Sequence, residues 1–370
     1  YFKTDTGTVQ LTLSLFFAGF AVSQLAYGPL SDRFGRLPVL YTGLALYFVA
    51  SLGCALATSI EMLIAGRFVQ AIGACAGPVL ARAMVRDLYG AERAPKVLAY
   101  LATVMGLLPI VMPIAGSLLT AEFGWRANFI ALAGYGAVTI AATLLLMRET
   151  NKWRNPQAAH PGVLVRTYVG LLRNRRFLGY VCCLSFIFGG LVAYIANIAF
   201  VLIDYTGVPV ESFGYYFAAS VVAFIGSTVV AGRITMRVGT DRMITIGCFI
   251  SVAGSFLVLA VAFAGVRNGW AYVGAIVPFL AGLGFVFPNA MGAAIAPFQR
   301  QAGTASALAG FVQMTVGGVT VFLTGVLGDG TPRVMAVALV VLALLSLGSF
   351  VALSWRAPAA DAAAADSDAV

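Results

Sequence analysis

AYGPLSDRFGRLPVL, residues 26–40, is a short charged turn between two long apolar runs. The ten residues after Tyr27 include one proline, one aspartate, two arginines and two glycines, and a second apolar run follows at once. Each flanking run has about the 20 apolar residues that a helix needs to cross a bilayer. The stretch therefore predicts two membrane-spanning helices joined by a tight loop of specific construction.

The composition indicates that lipid is the solvent of most of the chain. Of 370 residues, 61% are hydrophobic and 10% are charged, whereas soluble domains are about 25% charged. Strands of a β-barrel would be about 9–11 residues long and alternate in polarity, and the chain lacks that pattern. We predict an all-α polytopic membrane protein with about eleven spans, near 9–31, 38–59, 62–84, 96–120, 127–147, 177–203, 213–235, 243–265, 270–296, 304–327 and 332–354.

The positive charges are distributed unevenly over the loops. Every second loop is basic, and the longest of these holds Arg148, Lys152, Arg154, Arg166, Arg173, Arg175 and Arg176. The alternate loops hold only Lys3, Arg126, Arg267 and Arg333. By the positive-inside rule, the arginine-rich loops and the C-terminus lie in the cytoplasm. The net charge of +9 is therefore an orientation signal rather than a sign of nucleic-acid binding.

The order of the spans predicts two helical bundles. Five runs precede a long polar interval and six follow it, and many transporters are built from two similar halves. An odd number of spans puts Tyr1 outside, so we expect a first helix to be missing from this chain. The predicted organisation is an N-terminal bundle (1–147), a cytoplasmic linker (148–175), a C-terminal bundle (176–356) and a disordered cytoplasmic tail (357–370).

A short internal repeat agrees with two similar halves. Three positions of the first turn recur after an interval of 204 residues, which pairs Gly28 with Gly232, Arg33 with Arg237 and Gly35 with Gly239. At the position equivalent to Asp32 the second copy has Met236. The repeat and the number of spans together favour a duplicated bundle.

GPLSDRFGR, residues 28–36, resembles the signature loop between the second and third helices of the major facilitator superfamily. The matching residues are Gly28, Leu30, Asp32, Arg33, Gly35 and Arg36. The resemblance implies the fold of that superfamily, two six-helix bundles that alternate access to a central site. We expect a charge latch that holds one half against the other on the cytoplasmic face, formed by Gly28, Asp32, Arg33, Gly35 and Arg36.

Each latch residue suits that role for a physical reason. Gly28 allows a neighbouring helix to approach closely, and Asp32 is favoured near the positive N-terminal end of another helix. Arg33 and Arg36 can pair with carboxylates or phosphate headgroups, and Gly35 permits the tight turn. The alternative is a plain positive-inside turn, which the arginines alone would satisfy.

LIAGRFVQAIGACAG, residues 63–77, resembles the fourth-helix motif of the superfamily, with Arg67 and Gln70 at its centre. An arginine within a span costs about 2.5–3.5 kcal/mol. We therefore expect Arg67 to face a polar cavity, where it binds anionic groups or influences a proton site. The alternative is that its side chain extends to the outer interface.

GLLPIVMPIAGSLL, residues 106–119, resembles the fifth-helix motif of drug:proton antiporters and retains Pro109, Pro113 and Gly116. Two prolines bend a span because they remove helix hydrogen bonds, so these three residues are the expected hinge. Residues 10–36 and 303–318 resemble the Bcr/CflA branch, the bicyclomycin-resistance type of exporter. That resemblance covers nearly the whole chain and implies export driven by inward proton flow.

The proton and substrate sites are less well defined by the sequence. None of the fourteen acidic residues lies clearly at mid-membrane, and the resemblance implies an acidic residue on the missing first helix. The expected cavity side chains are Gln24, Tyr194, Asn197 and Gln313, with Phe16, Phe20, Phe188 and Phe311 as an apolar wall. The alternative for the amides is hydrogen bonding between helices, worth about 0.6 kcal/mol each.

We predict a monomeric exporter of small amphipathic compounds or drugs in a bacterial-type inner membrane. Its predicted partners are the substrate, protons and the lipid bilayer, not nucleic acid. We expect no cofactor or metal, because the proton gradient drives transport. The chain has one histidine and neither a Ser-His-Asp set nor a phosphate-binding loop, which disfavours a membrane enzyme with catalytic residues. The alternative function is a facilitator or proton symporter for a sugar or metabolite in the same fold.

Overall fold

A computed structural model describes residues 6–151, 160–298 and 302–354, with their side chains except at positions 6, 90–96, 98–110, 161 and 163. The described helices are α1 (Thr6–Phe34), α2 (Arg36–Ala55), α3 (Ile60–Phe123), α4 (Arg126–Leu146), α5 (Pro161–Arg173), α6 (Arg175–Ala199), α7 (Val210–Val238), α8 (Thr240–Phe263), α9 (Gly269–Ile295), α10 (Ala302–Val326) and α11 (Arg333–Ser349). Two of them continue as π-helical turns, α6 through Phe200–Tyr205 and α11 through Phe350–Ser354.

Ten helices in the described ranges are long and apolar enough to cross a membrane. Long apolar segments form helices there because a backbone surrounded by lipid must satisfy its own hydrogen bonds. Ten of the predicted runs match these helices, and the run 96–120 corresponds in part to the shorter apolar helix Val111–Phe123. The predicted all-α membrane fold is therefore confirmed.

The structure differs from the prediction between the third and fourth runs, because the expected loop near 85–95 is helical and belongs to α3. The two ends of α3 nevertheless lie close together: Nη2 of Arg126, just after α3, donates to the carbonyl oxygen of Ala57, just before it, at 2.8 Å. A straight helix of 64 residues would be about 96 Å long. The chain therefore reverses direction between the ends of α3, as two successive spans require.

The turn between α1 and α2 has the same backbone form as its repeat between α7 and α8. Gly35 separates the first pair of helices with φ 103°, and Gly239 separates the second pair with φ 93°. Glycine adopts such positive φ values without a steric penalty. This confirms the predicted tight turn at Gly35 and agrees with the internal repeat.

The predicted linker contains a helix of its own, α5. Leu171 is buried in the apolar core of the second half, and the Tyr168 hydroxyl donates to the carbonyl oxygen of Leu25 in α1 at 3.3 Å. Linker residues 152–159 and the predicted tail 357–370 lie outside the described residues. The exact domain boundaries therefore stay predictions.

The first and second groups of helices meet where α1 packs antiparallel against α10. A Cβ on Gly318 would lie 3.2 Å from Cβ of Phe17, and one on Gly310 would lie 2.7 Å from Cδ of Gln24. The end of α3 packs against α7 in the same way, since a Cβ on Gly214 would lie 2.6 Å from Cα of Ile114. Glycines at these positions let helices approach closely, as they do in many membrane proteins.

Candidate functional site

Arg36, the first residue of α2, is the centre of a charged cluster at the α1–α2 turn. Its side chain is 6% exposed. The guanidinium donates to Oδ1 of Asp32 at 2.5 Å, to Oδ2 of Asp87 at 2.8 Å and to Oγ of Ser31 at 2.6 Å. One buried cation therefore joins the end of α1 to α3, and the two carboxylates compensate its charge.

Two residues that follow α4 complete the contacts of this turn. The carboxylate of Glu149 accepts hydrogen bonds from the backbone nitrogens of Arg36 at 3.0 Å and Leu37 at 3.2 Å. The side-chain amide of Asn151 donates to the carbonyl oxygens of Ser31 and Asp32, both at 3.2 Å. These contacts satisfy backbone groups that helix ends leave without partners. We call Ser31, Asp32, Arg36, Asp87, Glu149 and Asn151 the turn cluster.

Hydrogen bonds also fix the ionisation of Glu149, which lies outside the spanning helices. Burial raises the pKa of the Glu149 carboxyl. Hydrogen bonds from four backbone N–H groups together lower that pKa by more than burial raises it, and the donors are Asn151, Arg36, Leu37 and Thr150. The net result is a pKa below the ordinary value. Glu149 is therefore held as an anion at the positive N-terminal end of α2, where a negative charge is favourable.

The structure brings only part of the predicted latch together. Asp32 and Arg36 pair with each other, whereas the Arg33 guanidinium lies 5.1 Å above the ring of Phe34. No described atom lies within 4 Å of a Cβ placed on Gly28, so the close helix approach expected there is absent from the described part of the chain. The described polar contacts of Asp32 and Arg36 all lie within residues 31–151. A clasp between the two halves at this turn therefore stays a prediction.

Arg67 lies within the spanning segment Ile60–Tyr89. Its Nη1 donates to Oε1 of Gln70 at 2.6 Å, and its guanidinium carbon lies 4.2 Å from the centre of the Phe16 ring. Gln70 is 1% exposed and donates in turn to Oγ of Ser51 at 2.8 Å. None of the described carboxylates forms an ion pair with Arg67. An amide and an aromatic face therefore hold a cation whose charge no described anion neutralises.

A second polar cluster joins α1 to α6 and α10. Nε2 of Gln10 donates to Oδ1 of Asn197 at 3.0 Å, and Nδ2 of Asn197 donates to Oγ1 of Thr324 at 3.2 Å. Thr324 Oγ1 donates to Oε1 of Gln10 at 3.4 Å. We call these three residues the outer clasp, because the distribution of arginines over the loops predicts that this end of the bundle faces outside. They line a cavity of about 580 Å³ together with Leu11 and Phe200.

Of the four side chains predicted to bind substrate, Asn197 lines the cavity beside Gln10 and Thr324. Tyr194 is 1% exposed, its hydroxyl donates to Oγ of Ser220 at 2.8 Å, and its ring stacks on Phe217. Tyr194 thus packs within the second half of the described chain, and its role in substrate binding stays a prediction. Asn197 lines the outer cavity, whereas Gln24 is buried against Gly310 with no described partner for its Oε1. Gln313 is also buried.

Aromatic side chains form a continuous row between the halves. The rings of Phe17 in α1 and Phe188 in α6 lie 6.4 Å apart, and those of Phe188 and Phe287 in α9 lie 6.3 Å apart. Phe16 and Phe20, which were expected in the apolar wall, lie 6.3 Å from each other on α1. The sequence did not distinguish Phe17 and Phe287 from the other phenylalanines.

The predicted hinge lies in the last part of α3. The side chain of Pro109 is outside the described part of the chain, whereas Pro113 and Gly116 lie in the apolar helix Val111–Phe123. A Cβ on Gly116 would lie 3.4 Å from Oδ1 of Asn128 in α4. This segment packs on α7 through Ile114 and Ser117, so it lies at the boundary of the two halves. Its role as a hinge stays a prediction.

Comparisons with known proteins agree with this architecture. A family model described as Major Facilitator Superfamily matches residues 1–321. The chain is 31% identical to a bicyclomycin resistance protein homolog of Haemophilus influenzae, over 84% of this chain and 78% of the relative. It is 30% identical to multidrug resistance protein D of Escherichia coli, over 95% of this chain and 87% of the relative.

A solved structure shares the fold at low sequence identity. The xylose transporter XylE of Escherichia coli, in a partially occluded inward-open conformation, aligns with a TM-score of 0.73 and 13% identity. The alignment covers 95% of this chain and 88% of that one. At this identity the likeness concerns the fold alone.

Proposed function

Because the chain belongs to the major facilitator superfamily, we propose that it exports small amphipathic compounds or drugs in exchange for protons by alternating access. The protein is a multi-pass transporter of the bacterial inner membrane with drug-resistance proteins among its relatives. The direction of transport, the class of compound and the coupling to protons are the proposed part.

The observation that carries the proposal is the environment of Arg67. A guanidinium inside a spanning helix is costly unless an anion or polar group compensates it. Here the compensation comes from Gln70 and from the face of Phe16. A carboxyl group that approaches Arg67 would therefore be favoured as the anion. Proton release at such a site is the step that an exchanger must couple to substrate movement.

The substrate class follows from the relatives and from the aromatic row. The names of two relatives refer to resistance to bicyclomycin and to multiple drugs. Phe17, Phe188 and Phe287 present contiguous rings between helices of both halves. Apolar pockets with few polar groups are typical of sites for small amphipathic ligands. We infer that these rings contact the apolar part of the transported compound.

Alternating access requires contacts that form at one end of the bundle while they break at the other. The outer clasp joins α1 to α6 and α10, so it suits the closed state of the outer end. We propose that the latch residues Asp32 and Arg36 close the opposite end in the alternate state. On this basis Asp32→Asn slows turnover while membrane insertion is unchanged, which a transport assay with matched expression levels will test.

Export is tested by drug accumulation in cells that express the full-length gene, with and without a proton uncoupler. We expect lower accumulation in expressing cells and loss of that difference with the uncoupler. In everted vesicles, addition of a transported compound should release protons from the acidified lumen. Arg67→Gln should abolish this proton release. Arg333→Gln, which removes an exposed cation at the start of α11, should preserve it.

Two results would reject the proposal. Equal accumulation in expressing and empty cells across a broad compound panel would exclude export. Proton-driven uptake of a sugar or metabolite would support the alternative of a facilitator or symporter in the same fold.

We also propose that the protein is a monomer and that its C-terminus is cytoplasmic. Mass measurement of the detergent-solubilised protein will test the first, and reporter fusions to the C-terminus will test the second.

A further inference from the structure

Helix α5 has an exposed apolar stripe in addition to the face that packs on the bundle. Val165, Val169 and Leu172 are 60%, 41% and 41% exposed. Their spacing of four and three residues places them on one side of a helix. Tyr168 borders the stripe and contacts α1, whereas Leu171, buried in the second-half core, lies at least about 100° round the helix from each stripe residue. The stripe is therefore not the face that holds α5 to the protein.

The other flank of this stripe is cationic. Arg166 and Arg173 are exposed and lie about a quarter turn from the stripe, on the side away from the bundle. Arg175, the first residue of α6, is also exposed. None of these three forms an ion pair with a described carboxylate, and residues 160–203 contain no Asp or Glu.

The position of α5 along the chain places it at the edge of the bilayer. It ends at Arg173, Asn174 caps the next helix through a hydrogen bond from the backbone nitrogen of Phe177, and the spanning segment begins at Arg175. A helix one residue from the end of a span lies at the level of the lipid headgroups. An apolar stripe beside arginines is the arrangement of helices that lie in that interface.

We propose that α5 binds the anionic phospholipid surface of the leaflet at this end of the bundle. Val165, Val169 and Leu172 contact the upper acyl chains, and the guanidinium groups of Arg166 and Arg173 bind lipid phosphates through charge-assisted hydrogen bonds. A zwitterionic lipid offers the same apolar contact without the net charge. The charge complementarity therefore selects anionic lipid, a property that goes beyond the transport activity proposed above.

Native mass spectrometry of the full chain in detergent, titrated with phosphatidylglycerol or phosphatidylcholine, tests the charge part. We expect the double variant Arg166→Gln/Arg173→Gln to bind phosphatidylglycerol at least about tenfold more weakly, since each arginine near anionic lipid contributes about fivefold. The matched control, Arg267→Gln/Arg333→Gln, removes two exposed cations from the opposite loops and should change binding less than about twofold. Equal binding by the wild type and the α5 variant would overturn the proposal, as would an equal loss in the control.

Fluorescence quenching tests the apolar part independently of variant stability. A bimane label is attached to the Val169→Cys variant of the full chain, which is reconstituted in lipid vesicles. Lipids brominated on the upper acyl chain should quench its fluorescence strongly. A label on Gly170→Cys, about 100° further round the helix, should be quenched weakly. Position 170 is a suitable control because no described atom lies within 4 Å of a Cβ there. Equal quenching at the two positions would show that the stripe does not face lipid and would refute the proposal.

Discussion

Oε1 of Glu149 lies 3.0 Å from the backbone nitrogen of Arg36, which precedes it by 113 residues. The contact caps the N-terminus of α2 with a carboxylate from the end of α4, so it ties two distant segments at the charged turn. Helices α2 and α4 also pack through Gly136, where a Cβ would lie 3.1 Å from the Tyr47 ring. The turn cluster is thus part of how the first helices assemble.

Replacing Glu149 with glutamine should destabilise the protein by about 1 kcal/mol, because a neutral amide caps a helix N-terminus less well than a carboxylate. Thermal unfolding in detergent measures the difference. Glu122→Gln is the control, since Glu122 is exposed at the end of α3. An equal shift for both variants would contradict the role of Glu149 as a cap.

The stabilisation by Glu149 should also depend on pH. The pKa of its carboxyl is lower in the folded protein than in the unfolded chain, so the unfolded state binds the proton more readily. Its contribution is therefore complete above the ordinary carboxyl pKa of about 4.3 and is lost as the pH falls through the lowered value. The difference in unfolding midpoint between wild type and Glu149→Gln should shrink over that acidic range, and a constant difference would argue against it.

Arg36→Ala should cost about 2 kcal/mol, because it removes a buried cation and leaves Asp87, whose side chain is 19% exposed, without its ion-pair partner. Arg33→Ala in the same turn removes an exposed cation that stacks on Phe34, so its cost should stay below about 1 kcal/mol. Chemical denaturation of the two purified variants measures both values. Similar costs for the two variants would support the alternative that this is a plain positive-inside turn, to which each arginine contributes only its charge.

The turn itself was predictable because its signals are local. Gly35 adopts the positive φ that a tight turn between two spans requires. The ion pair of Asp32 with Arg36 was not predicted, although the two residues lie only four positions apart. Glu149 was not predictable, since its partner lies 113 residues away and its own surroundings, RETN, resemble any polar loop. A carboxylate that immediately follows a span on the same side as the turn is the only signal that pointed to it.

The spans were predictable from length and hydropathy. The helical connection between two of them and the hydrogen-bond partners inside the bundle were not. Polar residues near 85–95 indicated a loop, yet the backbone stays helical there, because polarity does not prevent a helix at a membrane surface. Tyr194 was predicted to face the cavity together with three amide side chains. Its partner proved to be Ser220 in the core, a pairing between two helices that the sequence could not reveal.

Gly73→Ala should destabilise the protein by about 1–3 kcal/mol, since added volume in a well-packed contact forces the backbone to shift. A Cβ there would lie 2.6 Å from the carbonyl oxygen of Gly43 in α2. Gly77→Ala, one helical turn further along α3, meets no described atom within 4 Å. It should stabilise the helix by up to about 1 kcal/mol, because alanine is the better helix former. Unfolding midpoints of the two variants should therefore move in opposite directions, and a shift in the same direction would contradict the close α2–α3 contact.

Asn197→Ala should open the outer end of the bundle more often, because it removes the central residue of the outer clasp. Of its two bonds in the clasp, only the one from Gln10 joins the two halves, because α6 and α10 both belong to the second half. A hydrogen bond between helices in a membrane contributes about 0.6 kcal/mol, so losing it should shift the equilibrium roughly threefold. A cysteine at Leu11, which lines the outer cavity, reports this shift through its labelling rate with a membrane-impermeant maleimide in intact cells. Thr12→Ala is the control, since the Thr12 hydroxyl bonds only to Val9 within α1 among the described residues. We expect about threefold faster labelling with Asn197→Ala and an unchanged rate with Thr12→Ala. Equal rates in the wild-type and both variant backgrounds would mean that the clasp does not hold the outer end closed.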